Sequence, residues 1–490
     1  MVHDSAENRA KCICVSCPSY PQECAGAEVL YCARGTSACD IAVKGCICSL
    51  CPVYAEHELQ GLYYCDKTAI DEAGTVMRKR RTDEDPAIYQ TIVNIKEVAA
   101  TGSSVVRSMG SQKQLPFTLQ ELHFIPAQVH RIPRNHDEPV NTAVVIGPRA
   151  RRPVKVASPI MISGMSFGAT SKKVKLVIAQ TAGQLKIAFN SGEGGILEEE
   201  LAVAAQYLIG QYATGRFGVD ESLLKRVAAV EIRFGQGAYP GKGSYLPASK
   251  LNPEVAKVRG LKGGEDAYSP ARHHDITTPG ELTAKVAWLR EKTNGAPIGA
   301  KIGCGNVEDD LKVLVDAGVD FIALDGFGGG TGATTYFVRE NVGIPIVAAL
   351  PRATRFLTEQ GVKDQITLIA GGGLRTSADF ARCLALGADA VYIGTAALIA
   401  INCEQYRACH TGLCPTGVTT HNPSLVKQLN VESGIKRLTN FIATATAEVA
   451  ELTRIVGKDD VKKLDRSDLV ALNKELAEIT GTTWVDGRYK

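Results

Sequence analysis

Cys403, Cys409 and Cys414 stand at C-x5-C-x4-C in the stretch CEQYRACHTGLC, with a histidine directly after the second. Three cysteines cannot all pair as disulfides, and a four-coordinate zinc site needs one more ligand. A denser group lies at the N-terminus, where ten of the fifteen cysteines fall within the first 65 residues. There CICVSCPSY, from Cys12, returns as CICSLCPVY, from Cys46, and LYC ending at Cys32 returns as YYC ending at Cys65. Each copy supplies C-x-C-x2-C (Cys12, Cys14 and Cys17, then Cys46, Cys48 and Cys51) and a distant fourth cysteine. Four thiolates suit an all-cysteine zinc site or a [4Fe–4S] cluster, and ligand count does not choose between them. Cys24 and Cys39 fall outside the repeat and could replace a ligand. A disulfide reading is weak without an export signal. Cys304 and Cys383, alone in apolar contexts, read as inert buried thiols.

A third group of residues sits where short apolar runs end. Runs at 159–164, 185–192, 228–235, 297–303, 319–326, 344–350, 366–373 and 390–396 each precede a helix-like segment. Continuous apolar runs alternating with helices indicate a parallel sheet covered on both faces. Eight such units point to α/β architecture, a (β/α)8 barrel, with a doubly wound open sheet as the alternative. In a barrel the chemistry lies at the C-terminal ends of the strands. Those ends carry Ser163, Gly164, Met165 and Ser166 after the first run, Asn190 in the second and Gln236 after the third. Lys301 lies in the fourth, Asp325, Gly330 and Thr331 follow the fifth, and Gly371, Gly372, Gly373, Gly394 and Thr395 follow the last two. Backbone N–H groups after strands seven and eight commonly hold a phosphate. One phosphate cradle plus a lysine describes an FMN site, with Lys301 placing positive charge near flavin N1. The bland alternative for Lys301 is a structural lysine paired with a carboxylate. Cys403 begins a few residues beyond the phosphate loop, so the three thiols are expected beside the flavin. An iron–sulfur electron relay suits that position better than structural zinc.

These elements divide the chain into a cysteine-rich module (1–70), a lead-in (71–135), the barrel (136–425) and a C-terminal helical extension (426–490). The lead-in holds a charged run, RKRRTDED, expected to be a solvated face. In the extension, Ile435, Leu438, Phe441, Ala445, Val449, Leu452 and Ile455 recur at helical spacing. A net charge of +3 gives no reason to expect a nucleic-acid or acidic-membrane partner. No signal peptide and no run long enough to span a bilayer is visible, so a cytoplasmic protein is expected.

The motifs SGMSFGATS, NSGEGG, FGQGA, HHDI, DGFGGGTGA, GGGLRTSAD, LGADAVYIGTAALIAINC and CEQYRACHTGLCPTGV resemble the FMN-binding synthase domain of glutamate synthase over about residues 140–470. The N-terminal repeat resembles small cysteine-rich modules of methanogenic archaea. The first resemblance implies a [3Fe–4S] cluster on Cys403, Cys409 and Cys414. It also implies reduction of 2-iminoglutarate, made from 2-oxoglutarate and ammonia, by hydride from reduced FMN. Glu193 and Arg259 would then position the keto acid, Gln236 would line the pocket, and Lys301 would serve catalysis. The family's amidotransferase and β-helix domains have no counterpart in these residues, so ammonia is expected from solution or a separate amidotransferase subunit. A ferredoxin-type donor feeding two [4Fe–4S] clusters (or zinc sites) in the repeat, and a homo-oligomeric state, complete the expectation. The family pattern GAKPGEGGQLP is replaced by GAYPGKGSYLP, so Tyr239 and Tyr245 stand for a lysine and a glutamine. Arg233 stands for a further lysine. These changes leave open a related enzyme for another imine, of the N-methylglutamate synthase type, or an electron-transfer subunit.

Overall fold

A computed structural model describes residues 2–35, 37–42, 44–59, 62–65, 86–235, 239, 241–262, 264–332 and 334–487. The charged run RKRRTDED lies outside the described residues. The chain divides into two compact units, Met1–Val105 and Val106–Lys490.

The larger unit is built on a closed parallel barrel. Its strands are β1 (Ile160–Ile162), β2 (Phe189–Asn190), β3 (Leu208–Tyr212), β4 (Ala229–Arg233), β5 (Ile298–Gly303), β6 (Phe321–Asp325), β7 (Thr367–Gly371) and β8 (Ala390–Ile393). Each pairs with the next in sequence, and β8 closes on β1 through Tyr392 opposite Met161. Around it lie α1 (Lys172–Leu185), α2 (Glu198–Ala204), α3 (Pro279–Lys292), α4 (Val307–Asp316), α5 (Ile346–Glu359), α6 (Ser377–Ala385) and α7 (Thr395–Ile401). Alternation along the strands creates two cores. Ile160, Ile162, Val230 and Ile322 face outward into the helical layer. Met161, Ile209, Phe321 and Ile369 face inward, where an antiparallel hairpin, Val144–Ile146 with Val154–Val156, packs against them. Gly147, just after the hairpin's first strand, donates its N–H to Thr367 Oγ1 (3.0 Å) at the start of β7. The hairpin therefore plugs the N-terminal mouth and leaves the C-terminal mouth for chemistry.

The expected strand count holds, but two memberships change. The run 344–350 is not a strand: Pro345 caps α5, which buries Ile346, Val347, Ala349, Leu350, Ala353 and Leu357. That spacing follows the helical period, which a short apolar run hides. The strand it displaces is Leu208–Tyr212, whose Gly210 and Gln211 disguise it. Gln211 points inward and donates to buried Glu231 at 2.9 Å, so a polar residue occupies a core position legitimately. Lys301 accordingly lies on the fifth strand and Asp325 on the sixth, while the last two strands keep their places.

In the C-terminal segment, α8 (Val431–Ile455) buries Leu438, Ile442, Ala445 and Val449. Ile435, Phe441 and Leu452 pack beside them, whereas Ile455 is exposed. The extension is not purely helical. Leu469–Ala471 is the middle strand of a sheet, antiparallel to Leu122–Phe124 and parallel to Thr483–Trp484.

Candidate active site and cysteine centres

The C-terminal mouth holds a cavity of about 190 Å³. Ser163, Gly164, Met165, Ser166, Glu193, Arg259, Lys301, Asp325, Gly330, Thr331, Gly371, Gly372, Gly373, Gly394 and Thr395 all line it, together with Cys403 and Cys409. Asn190 stands behind this lining: its side chain donates to Glu231 (2.8 Å) and accepts from the Gly192 N–H (2.8 Å). It shapes the β2 loop rather than contacting the cavity. Gln236 lies outside the described residues.

Close approach of the loops requires the glycines. A Cβ on Gly164 would meet Asn190 Oδ1 at 2.7 Å, and one on Gly372 would meet the Gly326 backbone at 2.5 Å. Gly372 also has φ +109°, a region that side chains disfavour. A Cβ on Gly330 would press Thr395 Oγ1 (3.1 Å), and one on Gly394 would press Ser163 Oγ (3.1 Å). The loops after β1, β6, β7 and β8 thus converge with their backbones bare, as an anion cradle needs. Lys301 Nζ lies 2.8 Å from Asp325 Oδ2 and 5.8 Å from the centre of the Tyr392 ring. The carboxylate partner of the bland reading exists, and the lysine lines the cavity as well.

Two buried groups are left incompletely matched. Glu193 Oε2 accepts from Ser244 Oγ (2.6 Å) and Arg233 (3.4 Å), while its buried Oε1 has no partner among the described residues. Arg259, in the short helix Pro253–Arg259, is fixed by neutral acceptors, the Phe167 carbonyl (2.9 Å) and Ser166 Oγ (3.2 Å). Among the described residues it makes no ion pair. Burial brings its guanidinium down to about 10, partly opposed by nearby Glu193. A buried cation and an unfilled carboxylate oxygen on one cavity wall suit a ligand that carries both an anionic group and a hydrogen-bond donor. Of the atypical residues, Arg233 and Tyr245 line the cavity. Tyr239 does not: it is buried with its hydroxyl on the Gly329 carbonyl (2.9 Å), bracing the β6 loop.

Cys403, Cys409 and Cys414 interact electrostatically with one another. Burial raises the Cys409 thiol. Burial also pushes on Cys414, but hydrogen bonds from Thr416 and Thr419 outweigh it and hold that thiol low. Against them lies Lys250, buried, donating to the carbonyls of Ala169 (3.0 Å) and Cys409 (3.1 Å). Burial lowers its ammonium to about 8, with Cys409 and Cys414 opposing. Sequence reasoning missed Lys250, because nothing in PASKLNP separates it from a solvated lysine.

In the smaller unit, the eight cysteines of the repeat line one almost wholly apolar cavity. Cys24 and Cys39 do not join them: they form a disulfide with Cα atoms 6.3 Å apart. Neither is therefore a substitute ligand in this structure, and the disfavoured disulfide is present. Among the described residues, no group of three or more His, Cys, Asp or Glu stands in position to hold a single metal ion. No helix among them is long and apolar enough to cross a membrane.

Residues 89–459 match a family described as "Conserved region in glutamate synthase". Residues 12–66 match one described as "Protein of unknown function (DUF2769)". The "Glutamate synthase large subunit-like protein" of Rhizobium meliloti is 37% identical over 438 residues, covering 84% of this chain and 98% of that protein. An "Archaeal glutamate synthase (NADPH)" of Methanocaldococcus jannaschii is 40% identical over 334 residues, covering 67% of this chain and 65% of its own. The archaeal-type counterpart of Thermotoga maritima is 34% identical over 442 residues, covering 84% and 86%.

Proposed function

The chain belongs to the glutamate synthase family, and from that premise we propose an oxidoreductase whose barrel binds FMN and forms glutamate from 2-oxoglutarate and ammonia through 2-iminoglutarate. The observation that carries the proposal is the shared cavity. Glycine loops, Lys301, the Glu193–Arg259 wall and two of the three cysteines all open onto it. The residues fit the groups required: bare backbone at Gly372, Gly373 and Gly394 for a flavin phosphate, and buried Lys250 beside Cys409 and Cys414 for an anionic cluster. When bound, FMN would supply hydride to the imine carbon and a [3Fe–4S] cluster on Cys403, Cys409 and Cys414 would supply single electrons.

The chain's own residues supply the rest. Arg259, held by neutral acceptors, is free to bind a substrate carboxylate. Glu193 Oε1 can hold a proton at the imine nitrogen, while Ser244 and Arg233 fix its other oxygen. Lys301, held by Asp325, would bring positive charge to a bound flavin. Two [4Fe–4S] clusters in the N-terminal repeat would accept electrons from a ferredoxin-type donor, with zinc as the other occupant. Ammonia would come from solution or from a separate amidotransferase subunit.

Arg233 and Tyr245 at the cavity favour a second reading, in which the enzyme takes another imine, such as one made with methylamine. Anaerobic turnover with 2-oxoglutarate and either ammonium or methylamine tests both. Glutamate from ammonium supports the first reading, and N-methylglutamate alone supports the second. Reduced ferredoxin and NADPH should be compared as donors, since several relatives carry NADPH in their names.

A further inference from the structure

The two copies of the cysteine repeat are related by matched contacts. The Cys12 thiol accepts from the Leu30 N–H, and the Cys46 thiol from the Tyr63 N–H, each at 3.2 Å. Leu30 and Tyr63 both have left-handed backbones, with φ of 63° and 58°. Tyr31 and Tyr64 play the same part for Cys14 and Cys48. Within this symmetry the third cysteine of each copy crosses over. Cys17 Sγ donates to the carbonyl of Gly45, the residue before Cys46, at 3.5 Å. Cys51 Sγ lies 4.0 Å from the carbonyl of Lys11, the residue before Cys12. Cys14 and Cys51 both act on the Cys12 thiol and hold it low. Cys32 interacts electrostatically with Cys12 and Cys51.

We infer that the repeat exchanges a ligand between its halves: one four-thiolate site is Cys12, Cys14, Cys32 and Cys51, the other Cys46, Cys48, Cys65 and Cys17. This rests on the reading that the module holds iron–sulfur clusters, whose thiolates are spread around several irons rather than gathered on one ion. Reading the repeat copy by copy would instead place Cys17 with Cys12 and Cys51 with Cys46. Exchange explains why the two halves share one apolar cavity, and it ties loss of either site to both halves. It also brings the sites near one another, since Cys14 and Cys48, one from each set, line the same cavity. Two nearby clusters in a dry surround would exchange electrons readily.

Two double variants of the full chain, purified without oxygen, separate the alternatives. Under exchange, Cys12→Ser/Cys51→Ser strips two ligands from one site and leaves the other with four thiolates. That variant keeps half of the module's iron and an unaltered [4Fe–4S] electron paramagnetic resonance signal. Cys12→Ser/Cys17→Ser takes one ligand from each site and leaves no unaltered signal. The reverse pattern overturns the exchange. Wild-type protein without iron in the module overturns the underlying reading instead. If the variants do not fold, stepwise metal loss from wild-type protein with thiol alkylation gives the same answer. Cys51 should become reactive together with Cys12, Cys14 and Cys32; Cys17 doing so in its place contradicts the proposal.

Discussion

Replacing Lys175 by methionine should damage the barrel, because it strands a buried carboxylate. Lys175 on α1 is 1% exposed and stands 3.0 Å from Glu200, which is 0% exposed. Its ammonium also donates to the carbonyls of Ser191 (2.8 Å) and Met165 (3.2 Å), tying together the loops after β1 and β2. Glu200 in turn accepts from the Leu197 N–H (3.0 Å) at the start of α2. Lys175→Met removes one partner of a buried pair and strands the carboxylate, a loss of about 3–5 kcal/mol. Lys175→Met/Glu200→Gln should recover a large part of it, because no buried charge is then left unpaired.

The pH dependence gives an independent sign. Burial raises the Glu200 carboxyl, with Lys175 opposing; without Lys175 it rises further. An acid raised in the folded state keeps its proton where the unfolded chain has lost it. Its contribution to stability is therefore greatest below the ordinary glutamate range and falls as pH rises through the folded value. The deficit of Lys175→Met relative to wild type should be larger near pH 7 than near pH 5. Urea unfolding of the flavin-free proteins at both pH values measures it. A loss below about 1 kcal/mol, or a deficit that grows toward low pH, would refute the reasoning.

Four further outcomes follow from the site. Glu193→Gln should lower kcat by roughly 10²–10⁴-fold if its carboxylate handles the imine proton, with flavin content unchanged. Cys409→Ser should remove the barrel cluster's iron while leaving FMN bound, since the glycine loops do not depend on that thiol; wild-type iron content would make the three cysteines structural. Lys301→Met should disfavour the anionic reduced flavin and lower its reduction potential, read by redox titration. Tyr245→Gln should change KM for the keto acid more than kcat, as steady-state kinetics would reveal.

Much of this architecture was legible because parallel strands buried on both faces are continuous apolar runs. Seven of the eight barrel strands, with the glycine loops after the last two, could be read directly. Leu208–Tyr212 escaped because its inward position is filled by Gln211, satisfied by Glu231 and Arg233 from the next strand. IPIVAAL misled because a short run does not show whether its period is two or 3.6. Cavity residues were found through strand ends, whereas the polar network behind them was not. Glu231 binds Asn190, Gln211 and Tyr392 from three different strands, a convergence with no local signature. Lys175 did leave a trace: it sits three residues before Ile178 and seven before Ala182, on the buried stripe of α1. Its neighbours Lys172 and Lys173 masked it. In the repeat, the duplication was readable from spacing, but that Cys17 Sγ meets the Gly45 carbonyl, beside the other copy's first cysteine, was not.

The most direct test of the central claim is the oxidative half-reaction. Protein reduced anaerobically, with excess reductant removed, is mixed with 2-oxoglutarate and ammonium while flavin absorbance is followed and the product is quantified. The account predicts flavin reoxidation that requires both compounds together, with glutamate formed in step. Flavin that stays reduced with both present, or that reoxidises without forming glutamate, would contradict it.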